Sequence, residues 1–123
     1  MIAGKTLQQW LDRADELGAE GRFFDAHEEL ELGWAAADGE AKTLLQGLIQ
    51  LAAGLHRLGL HPGKTAGAFY LLDRGVEKLR RTRTLLTPDS LAALELALKV
   101  IRSSGICPRS MLYSLRCRTF QDP

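Results

Sequence analysis

The chain has 123 residues, 46% of them hydrophobic and 25% charged, with a formal net charge of +1; this is the balance of a single globular domain long enough to bury its own core. No run of about 18 apolar residues is present, so no membrane span is expected. The start, Met1-Ile2-Ala3-Gly4-Lys5-Thr6, lacks the apolar region of a signal peptide, and Cys107 and Cys117 stand at a spacing no common metal motif uses, which favours free thiols and a cytoplasmic setting.

In chain order, Thr6 suits an N-cap with Gln9 closing a capping box. The first helix then runs over about residues 6–17, with Leu7, Trp10, Leu11, Ala14 and Leu17 at helical spacing. Gly18 and Gly21 mark the turn into a second helix, which ends near Ala37 before the turn signal Asp38-Gly39. On a helical wheel Phe23, Ala26, His27, Leu30, Gly33, Trp34 and Ala37 share an arc of about 120°, the width of a core-facing stripe. Asp25 and Glu29 lie opposite, towards water. Glu31 falls at the margin of the stripe beside Phe24, with Glu28 one step further round. His27 is thus aimed at the core with carboxylates next to it, and polar groups placed there must find partners or shift their pKa.

The third helix, about residues 40–58, is apolar around most of its circumference and is expected at the centre of the fold. Gly47 and Gly54 leave a groove on it where another backbone can approach, and Thr43, Gln46, Gln50 and Arg57 share an arc of about 60°. Pro62 suits the first position of a fourth helix reaching about Arg83; it buries Ala68, Leu72, Gly75, Val76 and Leu79. Its flank carries Arg74, Lys78 and Arg81, a stripe read as a solvated face in preference to an anion site. Thr87-Pro88-Asp89-Ser90 starts a fifth helix, which buries Leu91, Leu94, Leu98 and Ile101 and stops at Ser103-Ser104-Gly105. In the tail Met111, Tyr113, Leu115 and Cys117 alternate as a strand would. A lone strand has no ladder partner, so a short helix or an extended segment laid over the core is expected.

The fold class is therefore all-α: a compact bundle of about five helices built on antiparallel hairpins, with an irregular C-terminal tail. Residues 1–104 form the helical domain, and residues 105–123 a tail packed on the domain or on a partner. A faint internal echo aligns the segment from Gly21 with that from Gly63. The first of these hairpins is similar to a tetratricopeptide unit, but a solenoid needs about three repeats and only two poor ones are present. Residues 1–50 carry four basic and ten acidic side chains, net −6, and residues 51–123 twelve basic and five acidic, net +7. Halves of opposite sign attract each other or a second copy, so self-association ranks above nucleic-acid binding, which usually requires a basic domain.

The candidate site is the polar cluster His27, Glu28, Glu31 and Trp34, with Gln46 and Gln50 as partners from the third helix. His27-Glu28-x-x-Glu31 departs from H-E-x-x-H, where two histidines meet one zinc ion, and di-iron bundles need E-x-x-H twice with further glutamates. A hydrogen-bonded core histidine is favoured over a divalent metal on His27 and Glu31, and no cofactor is predicted. The sharpest expectation is that Gln46 or Gln50 holds Glu31 in a network with His27. His56 and His61 read as surface or turn residues. No phosphate-binding loop, dinucleotide fingerprint or nucleophile signature is present. The reading is a binding or interaction module with an unidentified protein or small-molecule partner; the alternative is a hydrolase with Glu28 or Glu31 as general base and His27 holding a metal or a proton.

The segment G-R-F-F-D-A-H-E-E-L-E-x-x-W, followed after a short polar turn by L-L-Q-G-L-I-Q-L-A-A-G-L-H, resembles domain of unknown function 309, a family of small all-helical proteins without an assigned activity. The likeness covers about residues 10–79. It implies that His27, Glu28, Glu31, Trp34, Gln46 and Gly47 are the family's signature positions. Gly54 stands where a larger residue is more usual, and the tail from Gly105 resembles nothing in the family.

Overall fold

The computed structural model describes residues 1–105 and 115–118. The expected all-α bundle is the observed fold: α1 (Leu7–Ala19), α2 (Phe23–Ala36), α3 (Gly39–Leu60), α4 (Ala66–Arg81) and α5 (Pro88–Ser104), with a 3₁₀ turn at Arg83–Leu85. Among the described residues there is no strand, only the isolated bridges Ile2–Lys5 and Leu86–Cys117.

Local chemistry sets the starts of α1 and α5, whereas α2, α3 and α4 begin without a side-chain cap. At α1 the Thr6 hydroxyl accepts from the Gln9 amide at 3.1 Å, and the Gln9 side chain accepts from the Thr6 amide at 2.8 Å, completing the capping box. Gly18 does not stop this helix; it lies buried inside it, and the chain turns after Ala19. At α5 Thr87 caps with Pro88 in the first turn, and Gly105 ends the helix in the left-handed conformation. The start of α4 departs from expectation. Pro62 and Gly63 occupy the centre of a turn that the Lys64 amide closes by donating to the His61 carbonyl at 3.0 Å, and the helix begins only at Ala66. A proline followed by glycine is better suited to a turn than to a first helical turn, because glycine is a poor helix former. At the other end, α4 stops at Arg81 and the Thr82 hydroxyl donates back to the Lys78 carbonyl at 2.9 Å.

The core is built around α3, whose Leu44, Leu45, Leu48, Leu51 and Leu55 are fully buried. It packs against α2 on one side and α4 on the other, and α1 closes over α2. Two close approaches fix these seams. A Cβ on Gly33 would meet the Trp10 indole at 2.8 Å, so α2 leaves room there for the ring; the indole N–H donates to the Ile2 carbonyl at 2.8 Å. In the α3–α4 seam the two backbones nearly touch. A Cβ on Gly47 would lie 2.9 Å from the Gly75 carbonyl oxygen, and one on Gly75 would lie 2.7 Å from the Gly47 carbonyl oxygen. The pairings 47 with 75 and 54 with 68 run in opposite directions along the two helices, so the seam is antiparallel. The α4–α5 seam is looser and is bridged by the ion pairs Arg80–Glu95 and Arg102–Asp73.

Residues 115–118 are extended and lie between α1 and the segment that leads into α5. Leu115 is buried in the common core. The Cys117 amide donates to the Gln8 side chain at 2.7 Å, the Thr87 amide to the Arg116 carbonyl at 2.8 Å, and the Arg118 amide to the Leu85 carbonyl at 2.7 Å. The alternation expected at Met111 and Tyr113 lies outside the described residues.

Candidate functional site

Helix α2 carries the polar cluster on its second and third turns. The His27 imidazole is three-quarters buried: Nδ1 stands 3.7 Å from a Glu28 carboxylate oxygen and Nε2 3.9 Å from one of Glu31. Neither distance is a hydrogen bond, and Nδ1 is fully enclosed without a partner. The expectation of a hydrogen-bonded core histidine is therefore corrected: the ring is positioned by packing, with unused hydrogen-bonding capacity. One face stacks on Phe24, at a centroid distance of 6.1 Å and an interplanar angle of 17°. Phe24 is itself half exposed and lies 5.3 Å from the ring of His56 on α3. Phe24, His27, Ala53 and His56 line a hollow of about 150 Å³ between α2 and α3, with both glutamates exposed on the α2 side.

The network expected with α3 is not formed. Among the described residues no hydrogen bond joins Glu31 to Gln46 or Gln50; the Gln50 side-chain oxygen instead accepts from the Lys78 ammonium of α4 at 2.9 Å. The cause is the glycine seam. Gly47 and Gly54 draw α4 onto this flank of α3, so Gln50 and Arg57 of the polar arc meet α4 and not α2. Glu31 lies outside that seam, more than half exposed, where water solvates it. Lys78 is corrected with it. The sequence placed it on a solvated stripe, yet it is only 6% exposed, and its pKa is lowered by burial and by the neighbouring charges of Arg74 and Arg81.

Trp34 is partly buried two turns beyond His27, and the Lys42 ammonium sits 4.3 Å from its ring centroid, a cation–π lid on the core edge. His61 is exposed in its turn, as expected. His56 is not a surface residue: it is half-buried and shares the hollow with His27. Its signal was its position four residues after Ala52 and three after Ala53, on the apolar side of a helix whose polar arc lies elsewhere, which sets it against a neighbour. Asp15 on α1 carries a second enclosed polar atom, which its place between Ala14 and Glu16 gives no sign of in sequence. One carboxylate oxygen is buried without a partner, and burial, with the charge of Asp12 adding to it, pushes its pKa up to about 6.

His27, Glu28 and Glu31 each bring one potential ligand atom to within 4.8 Å of the others, close enough to share one divalent cation. All three come from one helix and the two carboxylates are exposed, so such a site would be open to solvent. Among the described residues no helix is long and apolar enough to cross a membrane.

No curated protein and no solved structure matches the chain. The family described as domain of unknown function (DUF309) matches residues 11–79, which spans α1 from its second turn through α4 and so takes in the hollow and the whole glycine seam. With more than half its length matched, the chain belongs to the DUF309 family.

Proposed function

We propose that this protein is a cytoplasmic binding module whose recognition site is the hollow between α2 and α3. The observation that supports it is the half-exposed Phe24 ring over an open hollow that the His27 and His56 imidazoles line, with two exposed carboxylates beside it. An exposed aromatic ring next to carboxylates gives an incoming cationic group both an apolar face and a counter-charge. At about 150 Å³ the hollow is smaller than the usual small-molecule pocket of ~300–1,000 Å³, so it fits one inserted side chain. The charge around it selects a cation: Glu28 and Glu31 supply carboxylates and Phe24 a ring face. The occupant is a lysine or arginine side chain of a protein partner.

The test is a nuclear magnetic resonance titration of the full chain with N-acetyl-arginine amide and N-acetyl-lysine amide. Shifts centred on Phe24, His27, Glu31 and His56, lost in Phe24→Ala and in the Glu28→Gln/Glu31→Gln double variant, are the expected result. Shifts elsewhere, or none, refute it. The second reading is metal-assisted hydrolysis, favoured by the convergence of the three ligand atoms within 4.8 Å. Zinc titration distinguishes the two: tight binding abolished by His27→Gln would support the metal centre over the cation hollow.

A further inference from the structure

Among the described residues some basic side chains have a carboxylate partner and the others, of which three cluster on α4, have none. Arg13, Arg22, Arg80, Arg102 and Arg116 each pair with a carboxylate. Arg74, Lys78 and Arg81, one helical turn apart along α4, do not. Arg74 reaches only the exposed Tyr70 ring, at 5.9 Å. Lys78 is more than nine-tenths buried, and its ammonium has the neutral Gln50 oxygen as its hydrogen-bond partner. Glu77, the carboxylate whose field reaches Lys78, is exposed and pairs with none of the three.

The Lys78 ammonium, at the end of a side chain whose stem is packed in the α3–α4 seam, carries three donors, of which Gln50 takes one. Burying a charge without a counter-charge is costly, and here two more cations make it costlier. We propose that this α3–α4 face is an anion site that binds a phosphate group. Lys78 supplies the fixed central charge at the floor. Arg74 and Arg81, four residues before and three after it on the same face of α4, fold their guanidinium forks onto the anion from either side. Gln50 holds the ammonium through its oxygen and keeps its amide N–H groups free to donate to the same ligand. The cradle suits a compact dianion, which neutralises clustered positive charge better than a singly charged carboxylate. This site is separate from the α2–α3 hollow, and the two proposals stand or fall independently.

Isothermal titration calorimetry of the full chain at low ionic strength, with inorganic phosphate and with phenyl phosphate, tests it. The expected result is saturable binding of at least one probe, the tighter of the two identifying free or esterified phosphate as the source. The Arg74→Gln/Arg81→Gln double variant, which alters only exposed side chains, should weaken binding by about tenfold or more, as should Lys78→Met. A raised melting temperature with phosphate in the wild type, absent in the double variant, is the matching stability readout. Absence of binding by either phosphate overturns the proposal, as does an affinity unchanged in the double variant. An RNA decamer that binds where both small phosphates fail would also overturn it, since that is backbone attraction and not a phosphate cradle.

Discussion

Substituting Gly75 by alanine tests the geometry that positions everything else. In an open mid-helix position this exchange stabilises by up to about 1 kcal/mol, because glycine loses more backbone entropy on folding. Position 75 is not open. The new Cβ would lie 2.7 Å from the Gly47 carbonyl oxygen, 2.9 Å from Leu51 Cγ and 3.1 Å from Leu51 Cδ2. Carbon atoms pack best at about 3.5–4.0 Å, and the Gly47 carbonyl belongs to the α3 hydrogen-bond ladder, so it cannot swing aside. Helix α4 must retreat by several tenths of an ångström along its whole contact with α3. Overpacking of this kind costs about 1–3 kcal/mol, leaving a net loss of about 1–2 kcal/mol after the propensity gain. With an unfolding entropy of about 2.1 cal/mol/K per residue and 123 residues, 1 kcal/mol shifts the midpoint by about 4 °C. The expected drop in Tm is therefore about 4–8 °C, read by circular dichroism melting at pH 7. Gly59→Ala is the control. That glycine lies exposed on the same α3 with nothing within 4 Å of its would-be Cβ, so the midpoint should hold or rise. If Gly75→Ala melts at or above the wild type, the two backbones are not in contact and the seam is wrongly drawn.

Asp15 should give a pH signature of its own. Its folded pKa is pushed up to about 6 from an ordinary value near 3.8, so the protonated form is favoured by folding: the stability this gives is complete below about pH 4 and is lost as pH rises through 6. Asp15→Asn should accordingly be more stable than the wild type at pH 7, by about 1–2 kcal/mol once the ~3 kcal/mol implied by the shift is reduced for partial solvent screening, and equal to it at pH 3.5; a pH-independent difference would contradict the assignment. Glu31→Ala, by contrast, should move the midpoint by less than about 2 °C, because an exposed carboxylate 3.9 Å from an imidazole is worth only tenths of a kcal/mol. A loss of more than 1 kcal/mol in a melting curve would show that Glu31 is held by a partner after all.

Much of the fold was legible because it depends on near neighbours in sequence. The Thr6–Gln9 box, the Thr87-Pro88 start and the Gly105 stop are contacts within one helical turn, and each formed as the residue types dictate. The central place of α3 followed from its composition, since a helix apolar around most of its circumference has to be covered on most sides. Gly47 and Gly54 announced a close approach by their missing side chains, though not by which helix.

Tertiary structure alone decided that point, and the candidate site with it. A helical wheel gives the direction of a side chain and not the identity of the element opposite. Gln46 and Gln50 were assigned to α2 because Glu31 needed a partner, but Gly75 and Ala68 let α4 take that flank, where Gln50 meets Lys78. Glu31 then had no need of α3, being at a margin that water reaches. The same displacement buried Lys78 on what read as a solvated stripe, and left His27 stacked on Phe24 with His56 across the α2–α3 hollow. Periodicity determines which residues leave water; only the packing of one helix against another determines what they meet there, because backbone approach distances of a few tenths of an ångström select the partner.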